Sequence, residues 1–451
     1  MLSAAAIETR TFFDDLRDRE FGRLDAQHHA YLDYAGSALY GDSQLRAHHA
    51  LLRDGVFGNP HSDSGPSRAS TEVIEMARRR VLRFFDVDES THDVCFTANT
   101  SAAIKLVAES YPFSPETGCI LAADNHNSVN GIREYARRAG ARVRYLPLDD
   151  ELRLRDAELF LCEESLRGDG LVAFPAQSNF SGVQHPLDLV MKARAFGFDV
   201  LLDVAAFVPS HAFSLRQCPA DFVALSFYKL FGYPTGIGAL VARRDALARL
   251  RRPWFAGGTV LYSSVAAGQH RLRSRNEGFE DGTPDFLGIA ALDAGFDLLA
   301  EAGMTRLTAH VAQLTRDFLD DLRDLRHGNG RPLVHIYGPR DMTARGGAVA
   351  FNVWDRDGEA IPYSIVEIQA RRANVSLRGG CFCNPGASEA AFGLDVAHIS
   401  ACLETLGDGF TPERFAECTG TAVGAVRASI GLANNADDIR RAVDVVASFR
   451  E

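Results

Sequence analysis

The sequence has few cysteines, no long apolar run and no excess of positive charge, and each absence excludes a class of protein. Eight cysteines spread over 451 residues do not resemble the disulfide framework of a small secreted domain, so we expect reduced thiols that are available for chemistry. The N-terminal stretch becomes charged too early for a signal peptide, and no run of about 18 apolar residues predicts a membrane span. A formal net charge of -11 argues against bulk binding to nucleic acid. We therefore expect a cytoplasmic protein with no nucleic-acid or membrane partner.

The composition is that of a globular protein with a substantial core, because 46% of the residues are apolar and 24% are charged. Short apolar runs such as DVCFT, LVAFP and DVLLD alternate with helical patterns as far as about residue 290. This alternation predicts an α/β fold with a mostly parallel sheet, in which ligands bind at the carboxyl ends of the strands. A very long helical pattern, LGIAALDAGF…DFLDDLRDL, then leads into a second unit of mixed strands and helices.

Lys229 lies in the strongest local signal, ALSFYKLFGYPTGIGALVAR, where we expect a strand to end in Ser-Phe-Tyr-Lys before a glycine-rich loop. A lysine is usually an ordinary solvated charge. The neighbouring Phe227, Tyr228, Phe231 and Tyr233 are aromatic, however, and partial desolvation lowers the pKa of a lysine and makes its amine nucleophilic. This environment favours a lysine that forms a Schiff base.

Asp203 ends the preceding predicted strand, where it is either a turn residue or a second functional group. An aspartate beside a Schiff-base lysine is the pair that pyridoxal phosphate requires, because the carboxylate keeps the pyridine nitrogen protonated. Thr100 and Ser101 fall at the predicted start of a helix in CFTANTSAAIKL. Alone they predict an ordinary N-cap, but together with Lys229 and Asp203 they predict a phosphate site.

His126 and Asn179 also follow predicted strands. A lone histidine is more often structural, although at a strand end His126 could stack on an aromatic cofactor and transfer protons. Asn179 either caps a turn or hydrogen-bonds a cofactor hydroxyl or a substrate carboxylate.

The stretch RGGCFCNPG places Cys381 and Cys383 two positions apart between glycines. This is poor spacing for zinc, and no second Cys/His pair stands nearby, so we predict no metal site. A disulfide between residues this close would be strained. The remaining readings are a nucleophilic thiol on a glycine-flanked loop or simple packing.

Eight stretches of the chain, taken together, resemble the class V, fold-type I pyridoxal-phosphate enzymes of the cysteine desulfurase group. The resemblance is greatest to the desulfurase domain of molybdenum cofactor sulfurases and runs from about residue 31 to the end. The matching stretches are YLDYAGSALY, GNPHS, FTANTSAAIKLVAE, DNHNSVNGIREYA, PAQSNFSGVQHPL, SFYKLFGYPTGIGAL, FEDGTPDFLGIAAL and LRGGCFCNPGA.

The resemblance implies a division of the chain into three parts. Residues 31–295 would form a large cofactor-binding domain around a mostly parallel sheet of the seven-stranded type. Residues 296–451 would form a smaller α+β domain that carries the Arg378/Cys383 loop. Residues 1–30 would pack with this small domain.

The resemblance also implies pyridoxal 5'-phosphate as the cofactor and a role for each matching position around it. Lys229 would bind the cofactor and transfer protons, Asp203 would contact the ring nitrogen, and His126 would stack on the ring. The implied phosphate ligands are Thr100 and Ser226, with Thr259 reaching the phosphate of the neighbouring subunit of a homodimer.

On the substrate side, the resemblance implies that Arg378 binds the carboxylate of L-cysteine, as the bidentate geometry of arginine suits. Cys383 stands at the position of the cysteine that forms a persulfide. Asn179 would lie near the cofactor hydroxyl and the substrate carboxylate.

Two positions differ from many desulfurases. Tyr228 replaces a histidine just before the lysine, as in the molybdenum cofactor sulfurases, and is expected near the cofactor. Ala206 replaces a glutamine that bonds the ring hydroxyl, so that contact is either absent or supplied elsewhere. Full-length sulfurases carry a further C-terminal module, whereas this sequence ends at Glu451, so the expected sulfur acceptor is a protein or a small molecule.

The expected activity is a cysteine desulfurase-like sulfur transfer, in which Cys383 takes sulfur from L-cysteine as a persulfide and L-alanine is released. Two alternatives stay open. One is another pyridoxal-phosphate reaction on the same fold, such as that of an aminotransferase, a C–S lyase or an epimerase. The other is a non-catalytic sulfur carrier.

Overall fold

The computed structural model describes residues 4–451, so the first three residues of the predicted segment 1–30 lie outside the described residues. The strands are β1 Ala30–Tyr31, β2 His92–Thr97, β3 Gly118–Ala122, β4 Arg142–Leu146, β5 Gly170–Pro175, β6 Phe198–Asp203, β7 Phe222–Ser226, β8 Gly238–Arg243, β9 Val260–Ser264, β10 Gln269–Leu272, β11 Val334–Tyr337, β12 Ala348–Val353, β13 Val375–Ser376, β14 Arg378–Gly380 and β15 Ala425–Ser429.

Helices account for most of the remaining chain. They are α1 Ala4–Phe21, α2 Arg23–Ala26, α3 Asp42–Asp54, α4 Gly65–Phe84, α5 Thr100–Ser110, α6 Asn127–Asn130, α7 Ile132–Arg138, α8 Ala157–Ser165, α9 Leu189–Ala195, α10 Phe227–Phe231, α11 Arg244–Arg249, α12 Phe286–Ala290, α13 Leu292–Ala302, α14 Met304–Asp324, α15 Tyr363–Arg372, α16 Pro385–Phe392, α17 Val396–Leu406, α18 Pro412–Thr419 and α19 Ala436–Ala447. None of the helices within residues 4–451 is long and apolar enough to cross a bilayer.

A seven-stranded sheet in the order β2-β8-β7-β6-β5-β3-β4 forms the centre of the molecule. Only β8 runs antiparallel to its neighbours β2 and β7, so the predicted mostly parallel α/β sheet is confirmed. Successive residues of β2 face opposite sides, because Val94 and Phe96 join one group of buried apolar side chains and Cys95 joins the other. Helices therefore bury both faces of the sheet, which explains why its strands are continuous apolar runs.

A smaller antiparallel sheet, β11-β12-β15-β14, carries the C-terminal part of the site. Its edge strand β14 pairs with β15, and Arg378 lies directly opposite Arg427. The N-terminal helix packs on helices of this part of the chain, since Arg17 forms an ion pair with Asp438 of α19 at 2.7 Å. The domain boundaries near residues 30 and 295 stay a prediction.

The long helical pattern after residue 286 is divided into three helices, α12, α13 and α14. The first break falls at Ala291, and the second falls at Gly303, which adopts a φ of 73° that a helix cannot contain. The prediction that a strand ends at Lys229 was wrong. Strand β7 ends at Ser226, and Lys229 lies on the one-turn helix α10, which is followed by Gly232 with a φ of 83°.

Candidate active site at the carboxyl ends of the strands

A cavity of about 290 Å³ opens where β5, β6 and β7 end, as the parallel fold predicts. It brings together most of the residues that the sequence analysis selected. Those that line it are Thr100, Ser101, His126, Asn179, Asp203, Ser226, Tyr228 and Lys229.

The Lys229 side chain lines this cavity, and its charge state depends on two opposing effects. Burial lowers the pKa of its amine, although the nearby Asp203 carboxylate raises it, so a neutral, nucleophilic amine becomes accessible. Asp203, the last residue of β6, is itself buried, and its Oδ1 accepts the Ala205 N–H at 3.0 Å. Lys229 and Asp203 thus line the same cavity and interact electrostatically.

His126 caps the short helix α6 and lines the same cavity. Its Nδ1 accepts the Ser128 N–H at 3.1 Å, which leaves Nε2 to carry the proton of the neutral ring. Burial lowers the pKa of His126, and the positive charge of Lys229 lowers it further. A neutral imidazole is therefore favoured beside the lysine.

The N-terminus of α5 offers hydroxyl and amide groups in one place. The Thr100 N–H donates to Ser226 Oγ at 2.7 Å, and the two hydroxyl oxygens lie 2.6 Å apart. Ser101 Oγ lies 2.5 Å from Ser128 Oγ, while Asn99 caps the helix through the Ala102 N–H. Because a helix N-terminus favours an anion, this cluster of hydroxyls fits a phosphate group.

Hydrogen bonds to neighbouring segments anchor the loop that carries Cys383. The Phe382 carbonyl accepts from Asn179 Nδ2 at 2.8 Å, and the Cys383 carbonyl accepts from the Asn127 N–H at 2.7 Å. Asn384 then donates from Nδ2 to the Asp124 carbonyl at 2.6 Å and caps α16. Cys383 remains exposed and lies close enough to interact electrostatically with Lys229.

Arg378 and Arg427 share one carboxylate at the edge of the site. Arg378 donates from Nε to Asp33 Oδ2 at 2.9 Å and is half exposed, whereas Arg427 donates from Nη2 to Asp33 Oδ1 at 3.0 Å and is almost fully buried. Arg427 also donates from Nη1 to the Asn179 carbonyl at 2.8 Å. Burial lowers the pKa of Arg427, and Asp33 opposes this effect. Arg427 was not predicted as a site residue, although an arginine inside the apolar strand AVRASIGL indicates a buried charge that needs a partner.

Three predicted site residues do not line this cavity: Arg378 and Cys383, which lie beside it, and Thr259. Thr259 lies in the turn that precedes β9. It is fully buried there, and its hydroxyl donates to the Ala256 carbonyl at 2.8 Å. Its role across a subunit interface stays a prediction. No group of three or more potential metal ligands occurs within residues 4–451.

Cys381 is exposed on the outer side of the loop, near Tyr363. The expectation of reduced thiols was wrong for Cys402 of α17 and Cys418 of α18, which form the only disulfide within the described residues. Both cysteines of the CFC stretch are free.

The comparisons with known proteins agree with this arrangement. The family model described as "Aminotransferase class-V" matches residues 30–442. The chain is 36% identical to the molybdenum cofactor sulfurase of Arabidopsis thaliana over 96% of its own length and 58% of that protein. It is also 36% identical to molybdenum cofactor sulfurase 3 of Aedes aegypti, over 95% of this chain and 57% of that protein. The chain thus spans somewhat more than half the length of these relatives.

Two solved structures share the fold. A cysteine desulfurase from Thermococcus onnurineus superimposes with a TM-score of 0.79 and 23% identity, covering 96% of this chain and 97% of the other. A cysteine desulfurase from Escherichia coli gives a TM-score of 0.76 and 22% identity, covering 97% and 98%.

Proposed function

Because the chain belongs to the class-V aminotransferase family, we propose that it binds pyridoxal 5'-phosphate and transfers sulfur from L-cysteine to Cys383 as a persulfide, releasing L-alanine. The observation that carries this proposal is the position of Cys383. The main chain of its loop accepts hydrogen bonds from Asn127 and Asn179, beside the cavity that the half-buried Lys229 and the buried Asp203 line. A nucleophilic thiol at that place has no use in transamination or epimerisation.

The residues of the cavity fit pyridoxal phosphate. Lys229 would hold the cofactor covalently, Asp203 would pair with its ring nitrogen, and His126 would lie against the ring. Thr100, Ser101 and Ser226 at the start of α5 would bind the phosphate, with Tyr228 beside them. When bound, the cofactor supplies an electron sink that makes the substrate's α-proton removable and weakens its Cβ–S bond.

The remaining steps depend on the chain's own groups. The lowered pKa of Lys229 leaves its Nζ able to accept a proton from the substrate and to return one. The Cys383 thiolate attacks the substrate sulfur, so that an S–S bond forms and the Cβ–S bond breaks. The electron pair of the broken bond stays with the carbon chain, which takes up a proton and leaves as alanine. Cys383 then holds the sulfane sulfur.

Product analysis after mixing the cofactor-loaded protein with L-cysteine and a reducing thiol tests the proposed function. We expect alanine and sulfide in equal amounts. Pyruvate with ammonia would instead indicate a C–S lyase, racemised cysteine an epimerase, and a keto acid without sulfide an aminotransferase. A protein that binds sulfane sulfur without making alanine would be a carrier, and each of these results would contradict the proposal.

Arg427 and Arg378 together would bind the substrate carboxylate. We predict that Arg427→Gln raises the KM for cysteine about 10- to 100-fold, since a charge-assisted hydrogen bond contributes about 1.5–3 kcal/mol. Arg378→Gln should raise it less, because Arg378 is half exposed and solvent screens its charge, whereas Arg427 is almost fully buried. Steady-state kinetics will measure both, with the exposed Arg440→Gln as the control. A KM unchanged in both site variants would remove the arginine pair from substrate binding.

A second copy of the chain would cover the β9–β10 hairpin. This two-stranded hairpin exposes Leu261, Tyr262 and Val265, and an isolated hairpin with such a surface is only marginally stable in water. Thr259 lies at its base, which supports the role predicted for it at the neighbouring subunit's phosphate. The proposed assembly is therefore a homodimer.

Replacing Leu261 with aspartate should shift the protein from dimer to monomer, since it places a charge in an apolar interface. Light scattering after size exclusion measures the mass. The matched control is Leu166→Asp, because Leu166 is also exposed, at 86% against 66% for Leu261, but lies at the end of α8. Identical masses for the wild type and the Leu261 variant would contradict the proposed interface.

We place the protein in the cytoplasm and assign the sulfur to a protein or small-molecule acceptor. Its relatives are named molybdenum cofactor sulfurases, which makes a molybdenum cofactor one acceptor to test. The division into a large domain at 31–295 and a small one at 296–451 belongs to the same proposal.

A further inference from the structure

We propose that Gln177 donates a hydrogen bond to the ring hydroxyl of the bound cofactor, an inference that rests on the proposed function. The residue stands near the end of β5 and lines the cavity with a side chain that is 5% exposed. It was not among the residues selected from the sequence.

The covalent structure of pyridoxal phosphate indicates which side of the cavity the ring hydroxyl would face. The ring carries its hydroxyl and its phosphate arm on opposite sides of the carbon that bonds the lysine. If the phosphate lies at the N-terminus of α5 with Thr100 and Ser226, the hydroxyl faces the opposite wall. In the sheet order β7-β6-β5, Ser226 ends β7, whereas Gln177 and Asn179 follow β5 on the far side of β6. These two residues and Ala206, which follows β6, also line the cavity.

Ala206 has only a methyl group, and the amide of Asn179 holds the loop that carries Cys383. Asn179 Nδ2 donates to the Phe382 carbonyl at 2.8 Å, and its Oδ1 accepts from Asn384 Nδ2 at 2.9 Å. Asn179 and Gln177 each keep one unused amide hydrogen, but the position of Asn179 is set by the Cys383 loop, so we assign the ring hydroxyl to Gln177.

The orientation of the Gln177 amide follows from its partners. Its Nε2 lies 2.8 Å from the Ala206 carbonyl, which can only accept, so the nitrogen must occupy that position. Its Oε1 accepts from Gln184 Nε2 at 3.1 Å, and Gln184 in turn contacts His211. One of the two amide hydrogens of Gln177 is thus used, and the second is available to a ligand.

The surrounding backbone leaves room for this amide. A Cβ atom added at Gly346 would lie 2.0 Å from Gln177 Oε1, so only glycine at 346 permits the observed position of the side chain. The amide is therefore held from three sides, by Ala206, Gln184 and Gly346, as a pre-organised donor should be.

The test measures the pH at which the visible absorbance of the lysine-bound cofactor titrates. A donor to the ring oxyanion competes with the neighbouring protonated nitrogen for that oxygen, so its loss should make the nitrogen hold its proton more tightly. We expect Gln177→Met to raise the titration midpoint by about one pH unit, a tenfold change, and to weaken cofactor binding about five- to tenfold. Gln177→Glu, nearly isosteric, should raise the midpoint further because a carboxylate repels the oxyanion.

Gly346→Ala should also raise the midpoint, because it displaces the amide without changing any residue that lines the cavity. Gln313→Leu, a substitution on the surface of α14, should leave the midpoint unchanged. The charged and titratable groups around the cavity are the same in all of these variants except Gln177→Glu, which adds a carboxylate: His126, Asp203, Tyr228, Lys229, Arg378, Cys383, Arg427 and, behind Gln184, His211. Circular dichroism and the unfolding midpoint identify any variant that fails to fold.

The outcomes separate the two proposals. A wild-type protein without a visible cofactor band would overturn both the proposed function and the role of Gln177. A normal wild-type band with the same midpoint in Gln177→Met, Gln177→Glu and Gly346→Ala would overturn the role of Gln177 alone. An upward shift in all three variants would establish it.

Discussion

Replacing Lys229 with alanine is expected to abolish the visible absorbance of the protein–cofactor complex and to reduce alanine formation by about 10³-fold or more. Within residues 4–451 no other lysine lines the cavity, so no second amine there can replace its covalent bond or carry its proton. Absorbance spectra after reconstitution with pyridoxal phosphate and alanine analysis after addition of cysteine measure the two effects.

Folding should survive this change. Lys229 is a buried amine whose pKa is lowered by desolvation, which means that its charged form is costly inside the protein. Its removal should therefore leave the unfolding midpoint unchanged or raise it, as substitutions at strained active-site positions often do. The exposed Lys105→Ala is the control and should behave as wild type. A Lys229→Ala protein that keeps both its colour and its activity would contradict the assignment.

Replacing Cys383 with serine is expected to preserve the cofactor absorbance while reducing persulfide and sulfide formation to the background rate. Unlike Lys229, Cys383 does not line the cofactor cavity, so its replacement should leave the absorbance unchanged. Sulfur transfer should stop because a serine hydroxyl is not ionised at neutral pH and cannot replace a thiolate. The backbone contacts of the loop should persist, since Asn127 and Asn179 bond main-chain carbonyls and not the thiol.

Two other cysteines refine this test. Cys162→Ser changes an exposed thiol on α8, away from the cavity, and should retain full activity. Cys381→Ser changes the neighbour of Phe382 and separates a role for the first thiol from that of the second. If Cys383→Ser releases sulfide at the wild-type rate and Cys381→Ser does not, the role of Cys383 is contradicted and the persulfide forms on Cys381.

Sequence patterns were sufficient for the class of fold and for much of the cavity. Continuous apolar runs separated by helical patterns predict buried parallel strands, and polar residues just after such runs must meet at one edge of the sheet. Lys229, Asp203 and His126 could be selected in this way because their positions depend on local chain direction. The ends of helices were harder to predict. At Gly303 the helix ends because this glycine has a positive φ, whereas the apolar periodicity continues through the position without a break.

The sequence by itself thus determined that this protein has a mostly parallel α/β core with a lysine, an aspartate and a helix start at the strand ends. Only the tertiary structure decided which polar groups remain free for a ligand. Asp33 joins Arg427 across 394 residues, Asn179 bonds the Phe382 carbonyl across 203, and the amide of Gln177 is oriented by Ala206 and Gln184. These choices depend on hydrogen bonds between distant segments, and those bonds exist only after the two sheets have packed together.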